Sequence, residues 1–182
     1  GTQERILYVT IGYQLINLDA KTGKPIPGFG VKGLGDLKRD TDNQAINMDG
    51  EGPGQEIGLH STPLVVGDVI VVGAAHSATV SQIGHIKGNV RAYDVRTGKH
   101  LWAFRTIPRK GEFGYDTWED GSAERTGNVG NWAQNSADPE LGLVYLAIEQ
   151  PTNDYYGAFR RGDNLYSDCI VAVDARTGRK RW

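Results

Sequence analysis

One pattern occurs three times in this chain, and it constrains the fold more than any other feature. A strand-like run ends in Asp, two further residues, Thr, Gly and a basic residue: Asp19, Thr22, Gly23 and Lys24; Asp94, Thr97, Gly98 and Lys99; Asp174, Thr177, Gly178 and Arg179. The chemistry of that ending is local. Asp accepts hydrogen bonds from the backbone just downstream, and Gly supplies the φ > 0 position of a tight turn. One such turn is an ordinary hairpin. Three in one register make a repeat.

Two more strand-like runs precede each later copy. Thr62 to Val66 and Val69 to Val72, joined by Gly67 and Asp68, lead to Asp94; Trp132 to Ser136 and Leu143 to Ile148, joined by a turn over Asp138 to Gly142, lead to Asp174. Residues 62–106 thus read as four consecutive antiparallel strands, A to D, in about 45 residues, the size of a β-propeller blade. Residues 1–30 supply strands B (Ile6 to Ile11), C (Gln14 to Asp19) and D (Pro25 to Phe29) of another blade. Residues 132–182 supply A, B and C of a third, with D beginning at Trp182. The expected fold is all-β: one full and two partial propeller blades. Fewer than three blades cannot close a ring, so the chain reads as one arc of a larger propeller whose remainder, or other chains, must cover its edges. Long insertions, Gly30 to Gly58, Ala74 to Gly88, Arg109 to Gly130 and Gln150 to Ser167, are the places where function is expected. No segment has enough 3.6-residue periodicity to predict a helix.

Composition narrows the function. The 182 residues include 25 Gly and 7 Pro, a glycine share about twice the usual ~7%, as expected for many tight turns. Twenty Lys and Arg against 22 Asp and Glu leave a net charge of −2, no electrostatic footprint for nucleic acid or an anionic membrane. A single Cys excludes a disulfide framework within the chain and a multi-cysteine zinc site. The longest apolar stretch, Leu64 to Ala75, is broken by Asp68 and too short to span a bilayer. No basic run followed by an apolar one opens the chain, and a leader ahead of Gly1 is compatible with that start.

Two repeats extend to Ala-x-Asp-x-x-Thr-Gly-x-x-x-Trp: Ala92, Asp94, Thr97, Gly98, Trp102 and Ala172, Asp174, Thr177, Gly178, Trp182. This resembles the tryptophan-docking repeat of the PQQ-dependent quinoprotein dehydrogenases, eight-bladed propellers in which each Trp packs flat on the neighbouring blade. The first copy departs, with Asn17 for Ala and Pro27 where Trp should be. The segments Asp19 to Gly30, Thr106 to Tyr115, Thr117 to Glu119, Thr126 to Ala133, Leu141 to Leu146 and Pro151 to Gly157 are similar to the branch like the membrane glucose dehydrogenase. The likeness runs over nearly the whole chain.

The resemblance implies site residues. Trp132, after Gly130 and Asn131, matches the family Trp on which the quinone ring stacks; the bland alternative is a core Trp between blades. Asn131 is taken with it as a cofactor contact, and His60, where relatives carry a Thr, as another. Gln150 stands where alcohol-oxidising relatives have an Asn ligand to calcium, with Glu149 as a possible substitute or a plain polar strand end as the alternative. Ala78 replaces the family's carboxylate metal ligand, and Ala75 a hydroxyl offered to the cofactor, which puts Ca²⁺ in doubt. His76, His85 and His100 are expected at the surface and Asp116, Glu119, Asp120 and Glu124 on a solvated loop, while Arg160 to Tyr166 resembles a family segment near the cofactor face, with a structural turn as the alternative. The family's catalytic base lies beyond the Trp matched by Trp182, so no catalytic residue is assigned.

The resemblance therefore implies part of a periplasmic dehydrogenase that oxidises a small alcohol or sugar. In such enzymes a base takes the hydroxyl proton while hydride passes to the quinone, with a metal ion as Lewis acid. This segment would supply the stacking surface and part of the metal shell, without turnover of its own. A non-catalytic propeller of the same repeat, acting as a protein-binding scaffold in the cell envelope, is the alternative that Ala75 and Ala78 favour.

Overall fold

Branched and aromatic residues dominate the runs expected as strands, and these residues suit a pleated, half-buried surface. The computed structural model describes residues 3–10, 12–38, 62–74, 86–153 and 155–182. Among these, ten strands form three antiparallel sheets. The first sheet holds β1 (Arg5–Val9), β2 (Gln14–Asp19) and β3 (Leu34–Asp36) in that order. The second holds β4 (Leu64–Val66), β5 (Val69–Val72), β6 (Val90–Asp94) and β7 (His100–Phe104), again in chain order. The third holds β8 (Ser136–Asp138), β9 (Leu143–Ile148) and β10 (Cys169–Asp174). One helical turn, α1 (Ser122–Arg125), lies in the insertion between the second and third sheets. No helix among the described residues is long and apolar enough to cross a membrane.

The three Asp-Thr-Gly turns are near copies. The Thr22, Thr97 and Thr177 hydroxyls donate to Asp19, Asp94 and Asp174 Oδ1 at 2.8, 2.7 and 2.8 Å. The following glycines adopt φ of +66°, +70° and +68°, and each donates its N–H to the carbonyl of its Asp at 2.8 Å. The hydroxyl's hydrogen bond is the main reason each carboxyl is held below its ordinary pKa.

The sheets stack, and the middle one is buried on both faces. Ile70, Val72 and Tyr93 join Val9, Leu15 and Phe29 of the first sheet's region. Val69, Val71, Val90, Ala92 and Phe104 join Val144, Leu146, Val171 and Val173 of the third. The continuous apolar run of β5 follows from that double burial. Each fully buried aliphatic side chain contributes about 1.5–3 kcal/mol. Trp102 closes the second interface: its indole Nε1 donates to Ala175 O at 3.0 Å, and its ring lies so close to Gly178 that a Cβ there would be 2.6 Å away. This is an all-β architecture of propeller blades, each four-stranded where complete.

Two expected strands lie elsewhere. Pro25 to Phe29 was expected to be the last strand of the first blade, within residues 1–30; it makes only the single bridge Leu18↔Pro25, and Leu34–Asp36 pairs with β2 instead. Pro25 and Pro27 cannot donate to a ladder, and the chain turns through Gly30 and Gly33 at φ +51° and +88° before pairing. Trp132 to Asn135 likewise lie outside β8. Continuing the β8–β9 register would set Gln134 opposite Ala147. However, the Ala147 C=O accepts from Asn131 Nδ2 at 2.6 Å and its N–H donates to Asn135 Oδ1 at 3.4 Å, so side chains hold both groups that a strand would use. His100 is half-buried rather than at the surface, its ring edge-on to Tyr93 at 5.5 Å across a register shift in β6–β7.

Antiparallel order sorts the connections into two ends. The tight turns at Gly67–Asp68, 139–142 and the three Asp-Thr-Gly sites fall at one end, where Val95 N donates to Asp68 O and Ala175 N to Gly142 O, both at 2.9 Å. The long connections, 73–89, 105–135 and 149–168, all leave from the other. That end carries the candidate site.

Candidate functional site

Residues 127–131 form a buried thread between the long-loop ends of the second and third sheets. Asn128 N donates to Ile86 O at 3.0 Å, and Gly88 N donates back to Asn128 O at 2.6 Å. On the other side Asn128 Nδ2 donates to Gln150 O at 3.3 Å, and Glu149 N to Gly130 O at 3.0 Å. Asn131 N donates to Ala74 O at 2.7 Å. The thread is held on both flanks.

That clamping sustains unusual backbone. Asn128 and Val129 adopt φ of +59° and +55°, a region in which a β-branched residue is a true outlier costing about 1–3 kcal/mol. Close approach explains the glycines. A Cβ on Gly73 would lie 2.1 Å from Asn131 O, and one on Gly88 2.4 Å from Gly130 Cα. A Cβ on Gly130 would meet Glu149 Oε1, Ala74 O and Asn128 Oδ1 at 2.5, 2.6 and 2.8 Å. Three oxygens therefore face one small space, and the buried Asn128 Oδ1 has no hydrogen-bond partner.

The thread delivers Trp132 to the surface. Asn131 is fully buried, whereas Trp132, the next residue, is 51% exposed. Trp132 thus presents a half-exposed indole directly after a constrained, buried backbone. Gln150 is half-buried, its backbone carbonyl tied to Asn128. The structure thus brings Asn131, Trp132, Glu149 and Gln150 together. His60, Ala75, His76, Ala78 and His85 lie outside the described residues.

The neighbouring insertions brace this end. Trp118, 3% exposed, donates Nε1 to Leu165 O at 2.5 Å; Asn164 N donates to Thr117 O at 3.0 Å; Arg160 donates to Asn164 Oδ1 and Asn153 O, both at 3.3 Å. The Arg160–Tyr166 stretch thereby pins one insertion to the other. Of the acidic residues around Trp118, Glu124 accepts from the Tyr115 hydroxyl at 2.5 Å, which holds its carboxyl low, and Asp120 pairs with Arg161 at 3.7 Å. Among the described residues no three His, Cys, Asp or Glu converge as metal ligands.

Sequence reasoning missed a buried polar brace behind the thread. Tyr13 OH donates to Gly73 O at 2.8 Å and accepts from Arg91 Nη2 at 2.6 Å, while Arg91 Nη1 reaches Leu37 O at 2.5 Å. Burial pushes the Tyr13 phenol above its usual pKa, and Arg91 works against that shift. Nothing in the local pattern around Tyr13 or Arg91 marks them; 60 positions separate Tyr13 from the carbonyl it holds. Asn128 was missed for the same reason, its side-chain amide reaching Gln150 O 22 positions away.

The chain matches the family described as "Glucose/ethanol/alcohol dehydrogenase, beta-propeller domain" over residues 1–182. It is 32% identical over 181 residues to the quinate/shikimate dehydrogenase (quinone) of Acinetobacter baylyi, covering 98% of this chain and 21% of that protein. It is 33% identical over 180 residues to the glycerol dehydrogenase large subunit of Gluconobacter oxydans, covering 98% and 22%. The quinohemoprotein alcohol dehydrogenase ADHIIG of Pseudomonas putida HK5 superposes with a TM-score of 0.71 at 29% identity, over 98% of this chain and 24% of that one. The chain spans about a fifth of the length of these curated relatives. With its stacked antiparallel blades, its tryptophan docking and a match along its full length, the chain belongs to the β-propeller family of the PQQ-dependent glucose, ethanol and alcohol dehydrogenases.

Proposed function

We propose that this segment builds one wall of the cofactor chamber in a periplasmic PQQ-dependent dehydrogenase that oxidises a small alcohol or sugar. The observation that carries the reading is Trp132: a half-exposed indole on a buried backbone thread fixed from both sides. Pyrroloquinoline quinone is flat, fused and anionic, and a fixed aromatic face that leaves room above it suits such a ring. When bound, the group supplies the electrophilic carbonyl that accepts the hydride from substrate. This chain's residues bind and orient: Trp132 by stacking, with Asn131 fixing the backbone beneath it.

For a metal ion, the residues on this rim offer oxygens in part. The Gln150 side-chain carbonyl, the Glu149 carboxylate and the unpartnered Asn128 Oδ1 occupy one loop end, a hard-oxygen set that suits Ca²⁺ but falls short of the usual six to eight ligands. The remainder of the shell and the base that takes the substrate proton belong to other parts of the chamber, and His60, outside the described residues, is taken as a further contact of this chain with the cofactor.

The test is PQQ binding and turnover in the full-length protein. With PQQ and Ca²⁺ added, dye reduction over a panel of alcohols and aldoses is expected with at least one substrate, and Trp132→Ala is expected to weaken PQQ binding. Failure to bind PQQ and to reduce dye with every substrate would overturn the reading in favour of a scaffold role.

A further inference from the structure

We propose that Asn131 and Asn135 form a side-chain clamp that sets the orientation of Trp132, with Asn135 as a positioning residue for the cofactor ring. The inference rests on the reading of Trp132 as the stacking surface.

The clamp is reciprocal. Asn131 Nδ2 donates to Asn135 Oδ1 at 2.9 Å, and Asn135 Nδ2 donates back to Asn131 Oδ1 at 2.6 Å. Each amide then takes one backbone group of Ala147: Asn131 Nδ2 reaches its carbonyl at 2.6 Å, and Asn135 Oδ1 accepts its N–H at 3.4 Å. Four hydrogen bonds therefore close a ring around residues 131–135 and tie it to Ala147, next to the last residue of β9. Trp132 is carried inside that ring.

An alternative path for this segment is visible in the register. Were Ala147 free to pair with backbone, β8 would extend upstream through Gln134, and strand alternation alone would decide where Trp132 points. The clamp occupies both Ala147 groups and holds the segment off the ladder. It acts on the rigid side of the site, because Asn131 is fully buried and its N–H is fixed to Ala74 O at 2.7 Å. Holding the indole in place before binding removes an ordering cost from the binding step. An aspartate at 135 would still accept from Asn131 and Ala147 but could not donate, leaving the buried Asn131 Oδ1 facing a carboxylate oxygen.

The experiment compares full-length wild type, Trp132→Ala, Asn135→Ala, Asn135→Asp and the neighbouring Gln134→Ala. Three quantities are read: the Kd for PQQ, the induced circular dichroism of the bound quinone, and the unfolding midpoint of the apoprotein. Asn135→Ala is expected to weaken PQQ binding about tenfold and to diminish the induced dichroism, with Asn135→Asp changing both in the same direction and Gln134→Ala changing neither. A structural role alone would lower the midpoint while leaving the dichroism of the saturated protein at its wild-type value; that result overturns the proposal. If Trp132→Ala keeps wild-type affinity, the stacking reading itself fails. If Trp132→Ala loses affinity and Asn135→Ala does not, the clamp alone is wrong. Should Asn135→Ala not fold, the isosteric Asn135→Asp decides by the same criteria.

Discussion

The Asn17 side-chain amide donates to the Val95 carbonyl at 3.4 Å, and this carbonyl corresponds to the one that Trp102 reaches one repeat later. Val95 follows Asp94 as Ala175 follows Asp174, and Trp102 Nε1 donates to Ala175 O at 3.0 Å. The ring of the missing Trp is replaced as well. Phe29 is fully buried, with its edge 3.0 Å from where a Cβ on Gly98 would stand, and Gly30 N donates to Thr97 O at 2.8 Å. One indole is thus divided between two residues: Phe29 covers the glycine and Asn17 satisfies the carbonyl. The two departures of the first repeat, Asn17 for Ala and Pro27 for Trp, are parts of a single substitution.

Removing the two halves should cost different amounts. Phe29→Ala empties a fully buried ring site and is expected to destabilise the propeller by about 3–5 kcal/mol. Asn17→Ala removes one hydrogen bond worth about 0.5–1.5 kcal/mol, and Arg5 Nη1 still donates to Val95 O at 3.2 Å. Urea unfolding midpoints of the two variants would check the order; a larger loss in Asn17→Ala would contradict the division of labour.

Gly178→Ala should be the most damaging of the three repeat-glycine substitutions. All three positions have positive φ, where a Cβ costs about 1–2 kcal/mol. A Cβ at Gly23 meets nothing within 4 Å, one at Gly98 meets the Phe29 ring at 3.0 Å, and one at Gly178 meets the Trp102 ring at 2.6 Å. The expected order of destabilisation is therefore Gly178, Gly98, Gly23. Thermal midpoints measure it, and a red shift of Trp102 emission should accompany Gly178→Ala alone.

How much of this could be read from the sequence depends on distance along the chain. The Asp-Thr-Gly turns were legible because every contact that makes them spans at most five residues. The strands at β5, β9 and β10 were legible because their apolar runs are continuous, and β6, interrupted by Arg91, because it runs into the second Asp-Thr-Gly turn. The last strand of the first sheet was misplaced because Phe29 performs the docking Trp's task from a turn, which makes Pro25 to Phe29 look like the strand that normally carries it. Trp132 was placed in a strand because nothing local announces that Asn131 and Asn135 take the backbone groups of Ala147. The candidate site was marked by a loop pattern, but its supports, Tyr13 and Arg91, join positions 78 residues apart.

Acid should expose the contribution of the turn hydroxyls. The Thr177 hydroxyl, and then Arg181, hold the Asp174 carboxyl below its ordinary value. A depressed carboxyl stabilises the fold fully above the unfolded-state pKa of about 3.9, and the contribution is lost as pH falls through the folded-state value. Thr177→Val should therefore raise the Asp174 pKa towards the ordinary one. The stability gap between wild type and variant should be full near neutrality and close as pH falls below about 3.9. Carboxyl titration by NMR and urea midpoints across that range test both halves; a gap that widened in acid would refute the assignment.

Gly73→Ala should disable the candidate site through sterics alone. Gly73 does not have positive φ, so alanine suits its backbone, yet the new Cβ would stand 2.1 Å from Asn131 O and 2.5 Å from Asn131 Oδ1. Gly73 itself has little freedom to retreat, because Tyr13 OH donates to its carbonyl at 2.8 Å from a fully buried position. The strain must then move the Asn131 segment, and Trp132 with it. Overpacking of this kind costs about 1–3 kcal/mol in stability, and the larger loss should appear in PQQ affinity. Gly28→Ala is the control, since its Cβ meets nothing within 4 Å and its φ is not positive. Tyr13→Phe supplies the converse: it frees Gly73 by removing the hydroxyl, so the double variant Tyr13→Phe with Gly73→Ala should recover part of the affinity that Gly73→Ala loses. Additive losses in the double variant would show that Tyr13 does not hold Gly73 against Asn131.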